Sequence, residues 1–160
     1  MKKQSGFTLM EIIVVMGIIA VLFRLSTVNL LGLERRPKLT ATMETLVSDL
    51  QSQQLKAMQK EGAGGSSSAN YGIHFETGRY ILFGGTSYNP LDAANVPITL
   101  PEAIQISNIT FPSSNILFAP GSGEIVGFVS GSNTITLIQT QNQEQETLKL
   151  NRYGVTVDLN

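Results

Sequence analysis

Glu11 places a carboxylate one residue ahead of the apolar run 12–23, behind a leader that carries Lys2 and Lys3. A charged side chain in the bilayer core costs about 2.5–3.5 kcal/mol on insertion scales, so an acid in such a segment calls for a cation. The segment itself supplies none before Arg24. The candidates are Lys2, Lys3 or a new amino group on Phe7, created by cleavage after Gly6, in this chain or in a neighbouring copy.

The remaining residues able to do chemistry are few. His74 is the only histidine, and it alternates with Ile73 and Phe75 in a strand-like run. A triad or a zinc site needs several partners, so a strand histidine with a polar neighbour is the favoured reading. Glu144 and Glu146 fall on a polar tip, and Asp92 and Glu102 in a Pro-rich loop, without the dense fixed spacing of a calcium loop. The stretches 62–65 and 121–123 are glycine-rich but lack the lysine of a phosphate-binding loop and precede no helical pattern. The absence of cysteine excludes disulfides, thiolate zinc sites and cysteine nucleophiles. No catalytic residue, metal ligand or cofactor site is therefore expected, and the chain reads as a non-enzyme.

Composition limits the partners. The 160 residues carry 11 basic and 12 acidic side chains, a net charge of −1, and loss of residues 1–6 removes two lysines to leave −3. A mildly acidic chain is poorly suited to nucleic acid, whose nonspecific binding depends on neutralising phosphates. After the apolar segment, enough chain remains for one small domain with a modest core.

The elements that position Glu11 follow from periodicity. Residues 7–33 can run as one helix of about 40 Å at 1.5 Å per residue, long enough to cross a bilayer. Arg24 would reach the far interface with its long stem, and the two leading lysines would stay cytoplasmic under the positive-inside rule. Asn29, Gly32 and Pro37 weaken the helix, and a break is expected near Arg36 and Pro37. Over 34–61, Leu39, Met43, Leu46, Val47, Leu50 and Met58 form an apolar stripe, with Glu44, Asp49, Gln53, Lys56 and Lys60 between them. That amphipathic helix is expected to cover a sheet in the same chain.

Residues 62–69 form a flexible linker. The region 70–160 then reads as strands, at 71–75 and 79–83 around a hairpin in which Gly78 takes a positive φ, and at 104–111 with a slip after Ile106. Further strands are expected at 116–118, 124–129, 134–139, 147–150 and 155–159, with 139–145 as a polar hairpin tip. Val155, Val157 and Leu159 alternate with polar residues, the pattern of a sheet with one wet face.

The N-terminus resembles that of type IV prepilins and type II secretion pseudopilins, in Lys2, Lys3, Gly6, Phe7, Thr8, Leu9 and Glu11. The resemblance implies that a prepilin peptidase cuts between Gly6 and Phe7 and methylates Phe7, residues 1–6 being the leader. It also implies that Glu11 pairs with the amine of an adjacent subunit during assembly. A signal peptide would need small residues at its cleavage site, which 22–25 do not offer, and a plain signal anchor leaves Glu11 unexplained.

The C-terminal half is similar to minor pilins and pseudopilins of the GspH and FimT kind in 72–75, the turn 78–80, 118–123 and 150–157. The resemblance implies an α+β pilin-like fold, a long N-terminal helix, membrane-spanning then amphipathic, packed on an antiparallel β-sheet domain. It also implies a low-abundance subunit near a filament tip. The expected partners are other pseudopilins or pilins, the peptidase, an inner-membrane assembly platform and the membrane itself.

The function expected is that of a minor pseudopilin in a type II secretion pseudopilus, anchored by one span with its C-terminal domain outside the cytoplasm. The alternative is a type IV minor pilin, in particular a FimT-like pilin that takes up DNA. Only Lys149 and Arg152 are basic after Arg79, and the chain ends without a basic tail, which favours assembly over DNA capture.

Overall fold

The structure is a computed structural model that describes residues 8–33, 35–59 and 70–159. It divides into two compact units, Met1–Pro37 and Lys38–Asn160. Lys2, Lys3, Gly6, Phe7 and the linker 62–69 lie outside the described residues, as does the side chain of Arg24.

The first unit is built on helix α1, Leu9–Leu33. Apart from Glu11, its described side chains are apolar or small on every face, and those from Leu9 to Phe23 are all exposed. A helix that is apolar all round requires an apolar environment beyond itself. Among the described residues, no helix is long and apolar enough to cross a membrane.

The second unit holds the core. Helix α2, Arg35–Met58, turns Leu39, Met43, Leu46, Leu50, Gln53 and Ala57 inward. These alternate in steps of four and three, the spacing that keeps one helix face on its partner. Two expectations are corrected here. Gln53, read as a wet residue, is 2% exposed, whereas Met58, read as part of the apolar stripe, is 46% exposed. Ala57 takes the inward position because it lies four residues on from Gln53 and seven from Leu50, and Met58 falls one residue off that line.

Among the described residues, eight antiparallel strands form two four-stranded sheets rather than one. In the first, β1 (Tyr71–Glu76) pairs with β2 (Arg79–Gly84) and β5 (Asn115–Phe118), and β3 (Val96–Thr99) flanks β2. The second runs β4 (Ile104–Ile109), β6 (Thr134–Gln139), β7 (Gln145–Leu150), β8 (Thr156–Leu159). Inward residues of both sheets, among them Ile73, Phe75, Tyr80, Ile116, Ile135, Leu137 and Leu148, join the apolar face of α2 in one cluster. The fold is α+β, consistent with a pilin-like domain.

Local chemistry explains where the strand readings hold and where they change. The slip after Ile106 is a bulge, with pairing to β6 shifting between Ile106 and Asn108. Gln139 and Gln145 end and begin β6 and β7, so the glutamine-rich stretch is their turn. Gly78 is not among the residues with positive φ. The turn is held from outside instead, since Leu100 N donates to Gly78 O at 3.0 Å and Ile106 N to Thr77 O at 2.8 Å.

The segment 124–129 is not a strand. It makes only a bridge between Ile125 and Phe118, and Gly123 and Gly127, each at φ 66°, turn the chain away. Strand β3 was hidden in the sequence by Pro97, which an edge strand tolerates because its missing donor faces away from the ladder. All four residues of β8 are exposed, so the apolar face expected there to be covered is open.

Candidate functional site at the helix head

Thr8 opens α1 as its N-cap. The Glu11 amide donates to Thr8 Oγ1 at 3.3 Å and to Thr8 O at 3.1 Å, and the Ile12 amide reaches Thr8 O at 3.3 Å. A threonine with glutamate three residues on is the spacing of a capping box, in which the acid sits at the third helical position. The Thr8–Glu11 spacing carries that signal in the sequence.

Glu11 thereby stands in the first turn, where the helix dipole favours an anion. It is exposed, and among the described residues its carboxylate has no hydrogen-bond or ion-pair partner. Below it, Ile12, Val15, Met16 and Ile19 line an open groove along one side of the helix. The carboxylate therefore heads an apolar stripe.

Magnitudes decide whether local structure is enough for this charge. The dipole contributes about 0.3–1 kcal/mol in an exposed first turn. Carrying a carboxylate into hydrocarbon costs about 2.5–3.5 kcal/mol or more. Capping alone does not offset that cost, and an external cation is still required if the stripe is buried in lipid or among other helices. Gly6 and Phe7, which would supply the cut and the amine, lie outside the described residues.

The other residues singled out from sequence occupy structural settings. His74 Nδ1 lies 2.6 Å from Asn115 Oδ1, and its ring stacks on Tyr88 at 4.0 Å between centroids. It is a strand histidine with a polar neighbour. Glu144 accepts from Asn142 Nδ2 at the β6–β7 turn, and Asp92 accepts from the Ala94 amide within its loop. Glu102 is exposed and Glu146 lies on β7. Gly121 and Gly123 form a turn fastened to α2, with Gly121 N donating to Ala57 O at 2.9 Å. Among the described residues, no group of three potential ligands gathers to hold a metal.

Two ionisable contacts have shifted groups. Tyr80 Oη donates to Asp49 Oδ2 at 2.5 Å, and burial, reinforced by that carboxylate, pushes the phenol well above its ordinary value. Glu76 is held below the usual carboxylate range by its hydrogen bond from Arg79, at 2.6 Å. Both members of the second pair are solvent-exposed, so it contributes little to stability.

Residues 1–23 match the prokaryotic N-terminal methylation motif, the signal of type IV pilin-type prepilins. No curated protein and no solved structure matches the chain. The motif covers the leader, Phe7, Glu11 and the head of α1, and it implies processing by a prepilin peptidase and assembly with other pilins. Together with the α+β fold, this N-terminus supports a type IV pilin-like protein.

Proposed function

We propose that this chain is a minor pseudopilin, a non-enzymatic structural subunit of a type II secretion pseudopilus of the GspH and FimT kind. In this reading the peptidase cuts between Gly6 and Phe7 and methylates Phe7. Before assembly the mature chain sits in the cytoplasmic membrane through α1, with residues 38–160 outside. The observation that carries the proposal is the methylation motif over residues 1–23, with Glu11, which has no partner among the described residues, at the head of an apolar helix. The side chains exposed on every described face of α1 support its seat in lipid, and then among the helices of neighbouring subunits.

The alternative, a type IV minor pilin that captures DNA, has less support. Of the two basic residues after Arg79, Arg152 is engaged by Glu124 at 2.8 Å, and Lys149 lies opposite Asp158 in the β7–β8 register. Few cations are left to neutralise phosphates. Deleting the gene in the native host separates the readings. The proposal expects loss of exoprotein secretion, restored by the wild-type gene. Normal secretion with lost transformation or lost pili would replace it with the alternative.

A further inference from the structure

A polar cleft of about 240 Å3 opens in the second unit and is lined from both sheets. Glu76, the last residue of β1, and Thr77 in the turn that follows line it from the first sheet. Ser107 and Asn108 of β4 line it from the second, together with Ser114 of the single 3-10 turn Pro112–Ser114. Phe75, Ile106 and Ile109 add an apolar lining. Two backbone irregularities shape this cleft. The bulge between Ile106 and Asn108 leaves Ser107 and Asn108 both exposed, although successive residues of a regular strand point to opposite faces. Ser113 and Ser114 follow at φ 55° and 54°, a conformation that residues other than glycine rarely hold and that recurs where ligands are clamped.

Much of the polar lining is unused by the fold. Glu76 Oε2 accepts from Arg79 Nε, and among the described residues its Oε1 has no partner. The same holds for the side-chain amide of Asn108 and the hydroxyl of Ser114. Ser107 Oγ donates to Thr136 O at 3.3 Å and can still accept. The class of ligand follows by exclusion. No basic residue lines the cleft and Arg79 keeps Glu76 ionised, so an anion is repelled. A divalent cation needs more than one carboxylate already engaged by arginine, and among the described residues no group of three potential ligands gathers. A wholly apolar molecule would strip water from the polar groups without replacing it. What fits is a neutral molecule dense in hydroxyls, and a volume below the about 300–1,000 Å3 of sites for drug-sized ligands limits it to a single ring.

We propose that this cleft binds one sugar ring of a neutral glycan. Hydroxyls of the ring donate to the Glu76 carboxylate and exchange hydrogen bonds with Asn108 and Ser114, while the apolar lining takes the C–H face of the ring. An acceptor-only group beside groups that both donate and accept matches neighbouring hydroxyls on one ring, each of which does both. The site belongs to the second unit alone, so it depends neither on α1 nor on the assembly reading given above. Two kinds of glycan present such a ring, those built of acetamido sugars and those built of unsubstituted hexoses.

The full-length chain, purified in a detergent whose headgroup is not a sugar, is titrated with diacetylchitobiose and, separately, with maltose under saturation-transfer NMR. Transfer to the ring protons of at least one disaccharide is expected. Transfer to the first alone assigns an acetamido glycan, to maltose alone an unsubstituted one, and to both a site that reads ring hydroxyls only. Asn108→Ala and Glu76→Gln should each weaken binding about tenfold, the effect of one lost hydrogen bond. Glu144→Gln, on the β6–β7 turn, should leave it unchanged. Ser114→Gly relieves the positive φ and removes the hydroxyl, so it should weaken binding without lowering the unfolding midpoint. Absence of transfer to either sugar, or equal affinity in the wild type, Asn108→Ala and Glu76→Gln, would overturn the site.

Discussion

Glu11 has two roles open to it, and substitution can separate them. Closing the capping box with a bond from the Thr8 amide, which the described residues do not show, it would contribute through the helix terminus, and glutamine serves at that position nearly as well as glutamate. As the partner of a neighbouring amine it contributes through charge, which glutamine lacks. We predict that Glu11→Gln and Glu11→Ala both reach the membrane at normal abundance and are both cleaved after Gly6, yet both fail to crosslink to filament partners. Retained crosslinking in the glutamine variant would reduce Glu11 to a capping residue. Thr8→Ala should weaken the helix head by only about 1 kcal/mol, leaving incorporation largely intact in the same assay.

Tyr80 gives a pH signature at the same scale. Its phenol is pushed up in the folded state, so the folded domain favours the neutral form. The associated stability is complete below the ordinary tyrosine value of about 10 and is lost as pH rises beyond it. Denaturant midpoints measured across the alkaline range should fall for the wild type and fall less for Tyr80→Phe. Parallel alkaline losses in both proteins would remove Tyr80 from this account. The charged residues were legible from sequence by type and spacing, and Glu11 most of all. Asp49 and Tyr80 were not, because 31 residues separate them and only the packing of α2 on the sheet brings them together.

Helix α2 shows how far periodicity carries. The inward line Leu39, Met43, Leu46 and Leu50 was readable, but its continuation through Gln53 was not, since a glutamine reads as a wet position. Among the described residues Gln53 Oε1 is buried without a hydrogen-bond partner, which costs about 1–3 kcal/mol. Gln53→Leu keeps the volume and removes the orphan, so it should raise the unfolding midpoint of the detergent-solubilised chain, whereas Leu46→Ala should cost about 2–5 kcal/mol. A destabilised Gln53→Leu would mean that the amide is satisfied, for example by a buried water. Strands with a clean two-residue period, β1, β2 and β6, were equally legible. Edge strand β3 was not, because Pro97 breaks the pattern that an inner strand must keep, and 124–129 had strand composition but pairs at a single bridge before Gly127 turns the chain.

At the scale of the molecule, pattern established the α+β class but not the number of sheets. Which strands become neighbours depends on the connections, and the pairing of β1 with β5 and of β4 with β6 spans long loops that carry no local signal. The division after Pro37 gives residues 38–160 their own core. Deleting residues 1–32 should therefore leave a soluble domain with mixed helix and strand signals by circular dichroism. A disordered spectrum would show that the first helix is needed for folding.

The central claim, that the first 23 residues are a prepilin-type N-terminus, meets its most direct test in the mass of the N-terminal peptide of the protein purified from its native host. The account predicts a chain that begins at Phe7 with one methyl group on its amine. A chain that still begins at Met1, in cells whose other prepilins are processed, would contradict it.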